Sequence, residues 1–331
     1  MSRIVRFHEL GGPEKLRIED IPERDPGPGE VRIKVDAFAL NRADLMYLTM
    51  THAVAPQLPS RIGFEAVGVV DSVGEGVTAF KPGDRVANVP YGKAGYEVAG
   101  ETAILPDFTL VPVNPKLGLS LEEQTSVWMQ YMTGWGALFS FGHLQADDTV
   151  LITAGSSSAS IGAIQLAKDA GAQVIATTRT RAKADFIRSV GADHVVVTDE
   201  EQLGPAVKAI TGGKGARLIY DCIAGQFFDN LIDSVAVGGQ IMVYGALDTR
   251  PFHINIAKMV WTEATFRPYS MITVFNDPVR RKAGLNYISG RLAAGAFRPV
   301  VDRVFMLDEI VDAYRYMLAG NHKGKIVVRV N

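Results

Sequence analysis

Val150-Leu151-Ile152-Thr153-Ala154-Gly155-Ser156-Ser157-Ser158-Ala159-Ser160 followed at once by Ile161-Gly162-Ala163-Ile164-Gln165-Leu166-Ala167-Lys168 reads as a buried strand, a turn of small residues and a helix. Such a turn leaves backbone N–H groups uncovered at the positive end of a helix, which suits a pyrophosphate. Tight packing of helix on strand selects the same small residues, so the turn gains its meaning from what surrounds it.

Downstream, apolar strands alternate with amphipathic helices, the pattern of a parallel sheet covered by crossover helices. The further strands are predicted at Gln173 to Thr177, His194 to Val197, Arg217 to Tyr220 and Gln240 to Tyr244. Helices are predicted at Ile161 to Ala170, Ala182 to Val190, Glu201 to Ile210 and Phe227 to Val235. This is a doubly wound, nucleotide-binding layout. Near the end of the second strand an NAD site carries an acid for the ribose 2′-hydroxyl. Here the chain reads Thr177-Thr178-Arg179-Thr180-Arg181-Ala182-Lys183, with no acid. Thr178, Arg179, Arg181 and Lys183 suit a 2′-phosphate instead, because charge-assisted hydrogen bonds contribute about 1.5 to 3 kcal/mol each. A merely solvated basic helix start would place these cations at the unfavourable end of the dipole. The expected cofactor is NADP(H).

Upstream of about residue 120 the segments are short, β-rich and punctuated by Gly and Pro, as at Asp25-Pro26-Gly27-Pro28-Gly29 and Lys81-Pro82-Gly83-Asp84, which predicts a mostly antiparallel β domain. After about residue 262 a mixed segment leads to the strand Lys325 to Val330, expected to return to that first domain. The predicted boundaries are 1–122 with 263–331, and 123–262.

A chain of 331 residues matches about two domains. With 34 basic and 36 acidic residues, its net charge of −2 gives no global reason to seek nucleic acid or anionic lipid. The expected partner is a small molecule. The single cysteine, Cys222, excludes an intramolecular disulfide or a cysteine-rich zinc site and fits a reducing cytoplasm. It follows a predicted strand and reads as a small buried residue. The amino terminus alternates like a strand rather than a signal peptide. Thr125 to Ala146 carries no formal charge, but Gln130, Thr133, Ser140 and several glycines argue against a membrane span. The six histidines, at 8, 52, 143, 194, 253 and 322, show no ligand spacing.

Gly27-Pro28-Gly29-Glu30-Val31, Asn41-Arg42-Ala43-Asp44-Leu45-Met46, Gly63-Phe64-Glu65-Ala66-Val67-Gly68, Lys81-Pro82-Gly83-Asp84-Arg85-Val86 and Lys323-Gly324-Lys325-Ile326-Val327 resemble, over nearly the whole chain, the medium-chain dehydrogenase/reductases, and among them the zinc-independent quinone oxidoreductases. The resemblance implies an α/β protein in which a GroES-like β-barrel domain joins a Rossmann domain, with the active site in the cleft between them. Zinc-dependent relatives carry a Cys near the place of Asn41 and a His where Phe64 stands, so the resemblance implies a site without metal. The family's glycine pattern in the cofactor turn falls on Ser157 and Ser160, with Gly155 and Gly162 out of register. Serine adds a Cβ where backbone and pyrophosphate approach closely.

Without a metal, hydride donation from NADPH needs an acceptor that is already electrophilic, a quinone or an α,β-unsaturated carbonyl. By family position, Asn41 and Asp44 lie at the cleft and Thr133 approaches the nicotinamide end. Asp44 is equally readable as fixing a turn through backbone N–H groups. Tyr47 is a candidate proton donor, although relatives place their tyrosine at the position of Met46. Tyr131 and Tyr269 read as ligand contacts or as packing, and Glu65 as structural. Ser157, Ser158, Ala159 and Ser160 are expected at the pyrophosphate, Tyr244-Gly245-Ala246 at the crevice end of a strand, and Asn321 and Lys323 at the cofactor. The resemblance also implies a homodimer, which the apolar Gly239 to Tyr244 and Phe252 to Ile256 accommodate. A protein that binds NADPH without turnover is the alternative from another class, motivated by the lost glycines. Metal-dependent alcohol oxidation is a third.

Overall fold

The computed structural model describes residues 1–331, which divide into a unit of Met1–Met129 with Pro299–Asn331 and a second of Gln130–Arg298.

In the first unit, alternating residues build two sheets around one core. The smaller joins Arg17–Ile21, Ser2–Phe7 and Ser60–Arg61. In the larger, Val301–Met306, Lys325–Arg329, Glu30–Ala39, Glu65–Val73, Arg85–Asn88 and Leu110–Pro112 follow in order, and Thr102–Pro106 pairs with Glu30–Ala39 as well. All pairs are antiparallel except Val301–Met306 with Lys325–Arg329, which are parallel and connected through the helix Ile310–Ala319. Phe7, Val31, Ile33, Phe38, Leu105 and Val328 fill the core. Gly68 is obligatory, because a Cβ there would lie 2.0 Å from the Lys34 carbonyl oxygen. The carboxy-terminal strand returns as expected, with Val327 opposite Ala39, and Leu40 N–H donating to the Ile326 carbonyl at 2.9 Å. That pairing brings Lys325 to the residues that follow Ala39.

In the second unit β1 (Thr149–Ile152), β2 (Gln173–Thr178), β3 (His194–Val197), β4 (Ala216–Asp221), β5 (Val235–Val243) and β6 (Thr265–Pro268) form one parallel sheet, ordered β3-β2-β1-β4-β5-β6. The reversal of strand order between β1 and β4 creates the crevice at which this topology binds ligands. Val150, Leu151, Val174, Ile175, Ile219 and Ile241 are fully buried, consistent with a sheet covered on both faces.

Three expectations need correction. The unit boundaries lie at 129/130 and 298/299. The earlier one moves because Glu122 pairs with Arg329 and Met129 N–H donates to Glu65 Oε1 at 2.8 Å. The later one moves because residues 265–268 are the sixth strand of the parallel sheet. In addition, the helix Pro278–Ala293 packs Gly284 so closely on Met132 and Trp135 that a Cβ would approach them to 2.8 and 2.9 Å, and Arg291 pairs with Asp169. The helix after β1 begins at Ser158 rather than Ile161, capped by Ser157. The fifth strand begins at Val235 rather than Gln240. No helix is long and apolar enough to cross a membrane; the uncharged stretch holds the helix Trp128–Trp135 and a π-helical turn, Gly136–Phe141.

Candidate functional site

The turn after β1 is anchored on β2: Ala154 N–H donates to Thr177 Oγ1 at 3.2 Å and Gly155 N–H to the Thr177 carbonyl at 2.8 Å. Ser157 then caps the helix Ser158–Asp169, its Oγ accepting from Ser160 N–H at 3.3 Å. The N–H groups of Ser158 and Ala159 fall in the first turn, where the helix itself supplies no acceptor, and both residues are half-buried. Ser160 departs from expectation. Its side chain is fully buried, and its hydroxyl donates to the Thr153 carbonyl at 2.7 Å, accepts from Ser157 Oγ at 2.9 Å and lies 3.3 Å from the Tyr244 hydroxyl. Ser160 therefore braces the turn from inside, and its hydroxyl is not offered to a ligand. The Tyr244 ring stacks on Tyr220 at 4.0 Å. Gly162 permits close approach, since a Cβ there would lie 3.3 Å from the backbone of Gln130.

At the end of β2 the four candidates separate in role. Thr178 Oγ1 donates to the Thr180 carbonyl at 3.1 Å. Arg179 is exposed and forms no ion pair. Arg181 is already paired with Glu200, a residue beyond β3 that the local sequence could not reveal. Lys183 reaches back to the turn, its Nζ donating to Ser156 Oγ at 3.1 Å. Lysine and serine turn thus form one cationic, N–H-rich corner.

The Thr153–Asp221 pair is a part of the site that sequence reasoning missed. Thr153 Oγ1 donates to Asp221 Oδ1 at 2.6 Å across the β1/β4 reversal and accepts from Cys222 N–H at 3.2 Å. Asp221 also accepts from the N–H groups of Ile223 and Ala224, at 3.2 and 2.7 Å. Burial raises its carboxyl pKa, and these hydrogen bonds oppose the rise. Tyr244, Gly245 and Ala246 run alongside: Tyr244 N–H donates to the Asp221 carbonyl and Leu247 N–H to the Cys222 carbonyl, both at 2.9 Å. Thr153 and Asp221 end neighbouring strands of the predicted sheet, so strand order could have found the pair. Cys222 is buried as expected, and burial pushes its thiol up to about 12, which removes it as a nucleophile.

In the first unit, Asn41 caps the helix Arg42–Leu48. Asp44 Oδ2 accepts from Asn41 N–H at 2.7 Å, so the turn-fixing role is realised. Burial holds the Asp44 carboxyl up at about 7, against the pull of the Asn41 N–H and the Lys325 ammonium. Asn41 Oδ1 accepts from Lys325 Nζ at 2.6 Å, and its Nδ2 donates to the Ala39 carbonyl at 3.1 Å. Lys325 Nζ lies 2.8 Å from Glu65 Oε2, with both side chains fully buried. This places Lys325, which sequence reasoning missed, between Asn41 and Glu65 of the first unit. Tyr47 is not available as a proton donor: it is fully buried, its hydroxyl donating to Glu97 at 2.7 Å and lying 3.1 Å from Ser60 Oγ. Thr133 is nearly buried on the helix Trp128–Trp135 of the second unit. Asn321 is exposed in the first unit, and Lys323 N–H there donates to Asp302 Oδ1 at 3.1 Å. Tyr131 is core, its hydroxyl donating to Gln165 Oε1 at 2.6 Å. Tyr269 is packed edge-on against Phe141.

These donors do not fit a zinc ion. Zinc requires about four N, S or O ligands, but Phe64 is apolar and stacks on His52 at 5.3 Å. The Asn41 oxygen and Glu65 already face an ammonium, and no three His, Cys, Asp or Glu side chains converge.

Residues 27–133 match the family model for the alcohol dehydrogenase GroES-like domain, and residues 160–281 the model for zinc-binding dehydrogenase. The quinone oxidoreductase of Pseudomonas aeruginosa is 28% identical over 329 residues, 99% of each chain. Quinone oxidoreductase 1 of Escherichia coli K12 is 30% identical over 250 residues, 74% of this chain and 73% of that one. A mycobacterial protein solved in complex with NADPH superposes with a TM-score of 0.90 at 26% identity, covering 99% of both chains.

Proposed function

The chain belongs to the quinone oxidoreductase branch of the medium-chain dehydrogenase/reductase superfamily, and from that premise we propose that it is an NADPH-dependent, metal-independent reductase of quinones or α,β-unsaturated carbonyl compounds. The observation that carries the cofactor reading is the corner where Lys183 meets the serine turn, beside an Arg179 with no partner and with no acid on β2. The helix N-terminus at Ser158 and Ala159 is suited to a diphosphate. Arg179 and Lys183 are suited to a 2′-phosphate, and the wall formed by Thr153, Asp221 and Tyr244 to Ala246 lies at the crevice end of the sheet.

Bound NADPH supplies the hydride. The protein's part is to orient, to exclude water and to stabilise charge on the oxygen of the acceptor. Asn41 carries an amide N–H fit for that last task. With Tyr47 bound internally, the proton comes from solvent, which suffices for a quinone. Phe64, and the engagement of Glu65 and Asn41 by Lys325, support the metal-free reading.

Steady-state oxidation of NADPH and of NADH against a panel of quinones and enones tests the reading. Acceptor-dependent oxidation, faster with NADPH and unaffected by chelators, is expected. NADPH binding without turnover, or loss of activity on chelation, would overturn it. The helix Ile256–Thr262, which packs on β5, exposes Ile256, Val260 and Trp261, which supports the expected homodimer and is checked by light scattering. The one cysteine, free and buried, accords with a reducing cytoplasm.

A further inference from the structure

Lys325 has its whole side chain buried, and two oxygens receive its ammonium: Asn41 Oδ1 at 2.6 Å and Glu65 Oε2 at 2.8 Å. On the other side of the Asn41 amide, Nδ2 donates to the Ala39 carbonyl at 3.1 Å. The two contacts agree on one orientation. If the amide flipped, its NH2 group would face an ammonium and its oxygen would face a carbonyl, replacing two hydrogen bonds by two repulsions in a buried site. One N–H of Nδ2 is left without a protein partner, on a side chain that is 7% exposed.

We propose that Lys325 is a positioning residue that locks the Asn41 amide with its oxygen inward, so that Asn41 meets a ligand only as a donor, and as a donor polarised by the ammonium behind it. The ligand group this serves is an acceptor oxygen, of the class of a quinone or enone carbonyl, whose negative charge grows as hydride arrives. An ammonium drawing electron density from Oδ1 strengthens the N–H on Nδ2, and the fixed orientation removes reorganisation at the moment charge develops. Glu65 holds Lys325 in place and is itself held by Met129 N–H at 2.8 Å, which gives this buried glutamate its function. The inference rests on the reading of Asn41 as a group that touches the acceptor.

Removing Lys325 alone strands the Glu65 carboxylate, so the test uses the pair Lys325→Met with Glu65→Gln, which removes both charges together. Asn41→Ala and the triple variant complete a cycle. The expected result is a loss of about tenfold in kcat for the pair, with the Kd of NADPH and the KM of the acceptor within about twofold of the wild type, and a similar or larger loss for Asn41→Ala. Added to Asn41→Ala, the pair should cost no more than about another twofold. A second readout needs no cofactor. The side-chain 15N–1H signals of Asn41, assigned by their disappearance in Asn41→Ala, should exchange slowly with solvent in the unliganded wild type and faster in the pair variant. A folded pair variant with full kcat, multiplying losses in the triple variant, or Asn41 signals unchanged by the pair would each overturn the proposal while leaving the catalytic reading of Asn41 intact. An Asn41→Ala enzyme with unchanged kcat would overturn that reading and the proposal with it.

Discussion

The Thr153 hydroxyl donates to Asp221 Oδ1 at 2.6 Å and joins the ends of β1 and β4, the two strands between which the sheet reverses its order. Thr153→Val keeps the shape but removes that donor and takes from Cys222 N–H its acceptor at 3.2 Å. Because a buried polar group left unpaired costs about 1 to 3 kcal/mol, urea unfolding should show a loss of that size. A loss below about 0.5 kcal/mol would mean that the backbone pairing of the two strands and their packing suffice without the side-chain bond.

Ser160 occupies one of the two places where the resemblance puts glycine, yet its hydroxyl makes three side-chain contacts. Ser160→Gly should therefore destabilise the protein by about 1 to 2 kcal/mol, from a lost hydrogen bond and the lower helix propensity of glycine. Restoring the family residue is expected to weaken the fold and not to tighten NADPH. Thermal unfolding with and without NADPH checks both halves.

Arg179 is free to meet a phosphate while Arg181 is engaged by Glu200. Arg179→Ala should raise the Kd of NADPH about tenfold or more with little change for NADH, as befits the loss of a charge-assisted bond. Arg181→Ala should cost clearly less. Fluorescence titrations with both cofactors would read this, and equal losses for NADPH and NADH in Arg179→Ala would remove the 2′-phosphate assignment.

Burial holds Asp44 at about 7, against 3.8 in an ordinary setting. Between those values the folded protein keeps a proton that the unfolded chain has released. The contribution of Asp44 to stability is thus full below about pH 4 and lost as the pH rises through about 7. Asp44→Asn retains an acceptor for Asn41 N–H and cannot ionise. Relative to that variant, the wild type should lose roughly 2 to 3 kcal/mol between pH 5 and pH 8. Parallel pH dependences would show that Asp44 ionises freely in the folded protein.

Much of this was legible in the chain. β-branched runs alternating with amphipathic helices located five of the six strands of the parallel sheet, and the missing acid after β2 was plain by inspection. The sixth strand, Thr265–Pro268, falls outside the boundary read from sequence because four residues with Arg and Pro among them carry little strand signal. Capping by Ser157 moved the helix start by three residues, a Ser-x-x-Ser spacing that local chemistry could have revealed. Tyr47 was unreadable for another reason: its acceptor Glu97 lies fifty positions away. Lys325 and Asn41 are 284 positions apart, and only the pairing of the last strand with Glu30–Ala39 makes them neighbours.

That pairing also sets a schedule for biosynthesis. Gln130–Arg298 is continuous in sequence, whereas the first unit is assembled from two separated stretches and lacks part of its larger sheet until Pro299–Asn331 has been made. Until then the Glu65 carboxylate has no Lys325 ammonium to neutralise it, so the burial of that charge waits on the last strand.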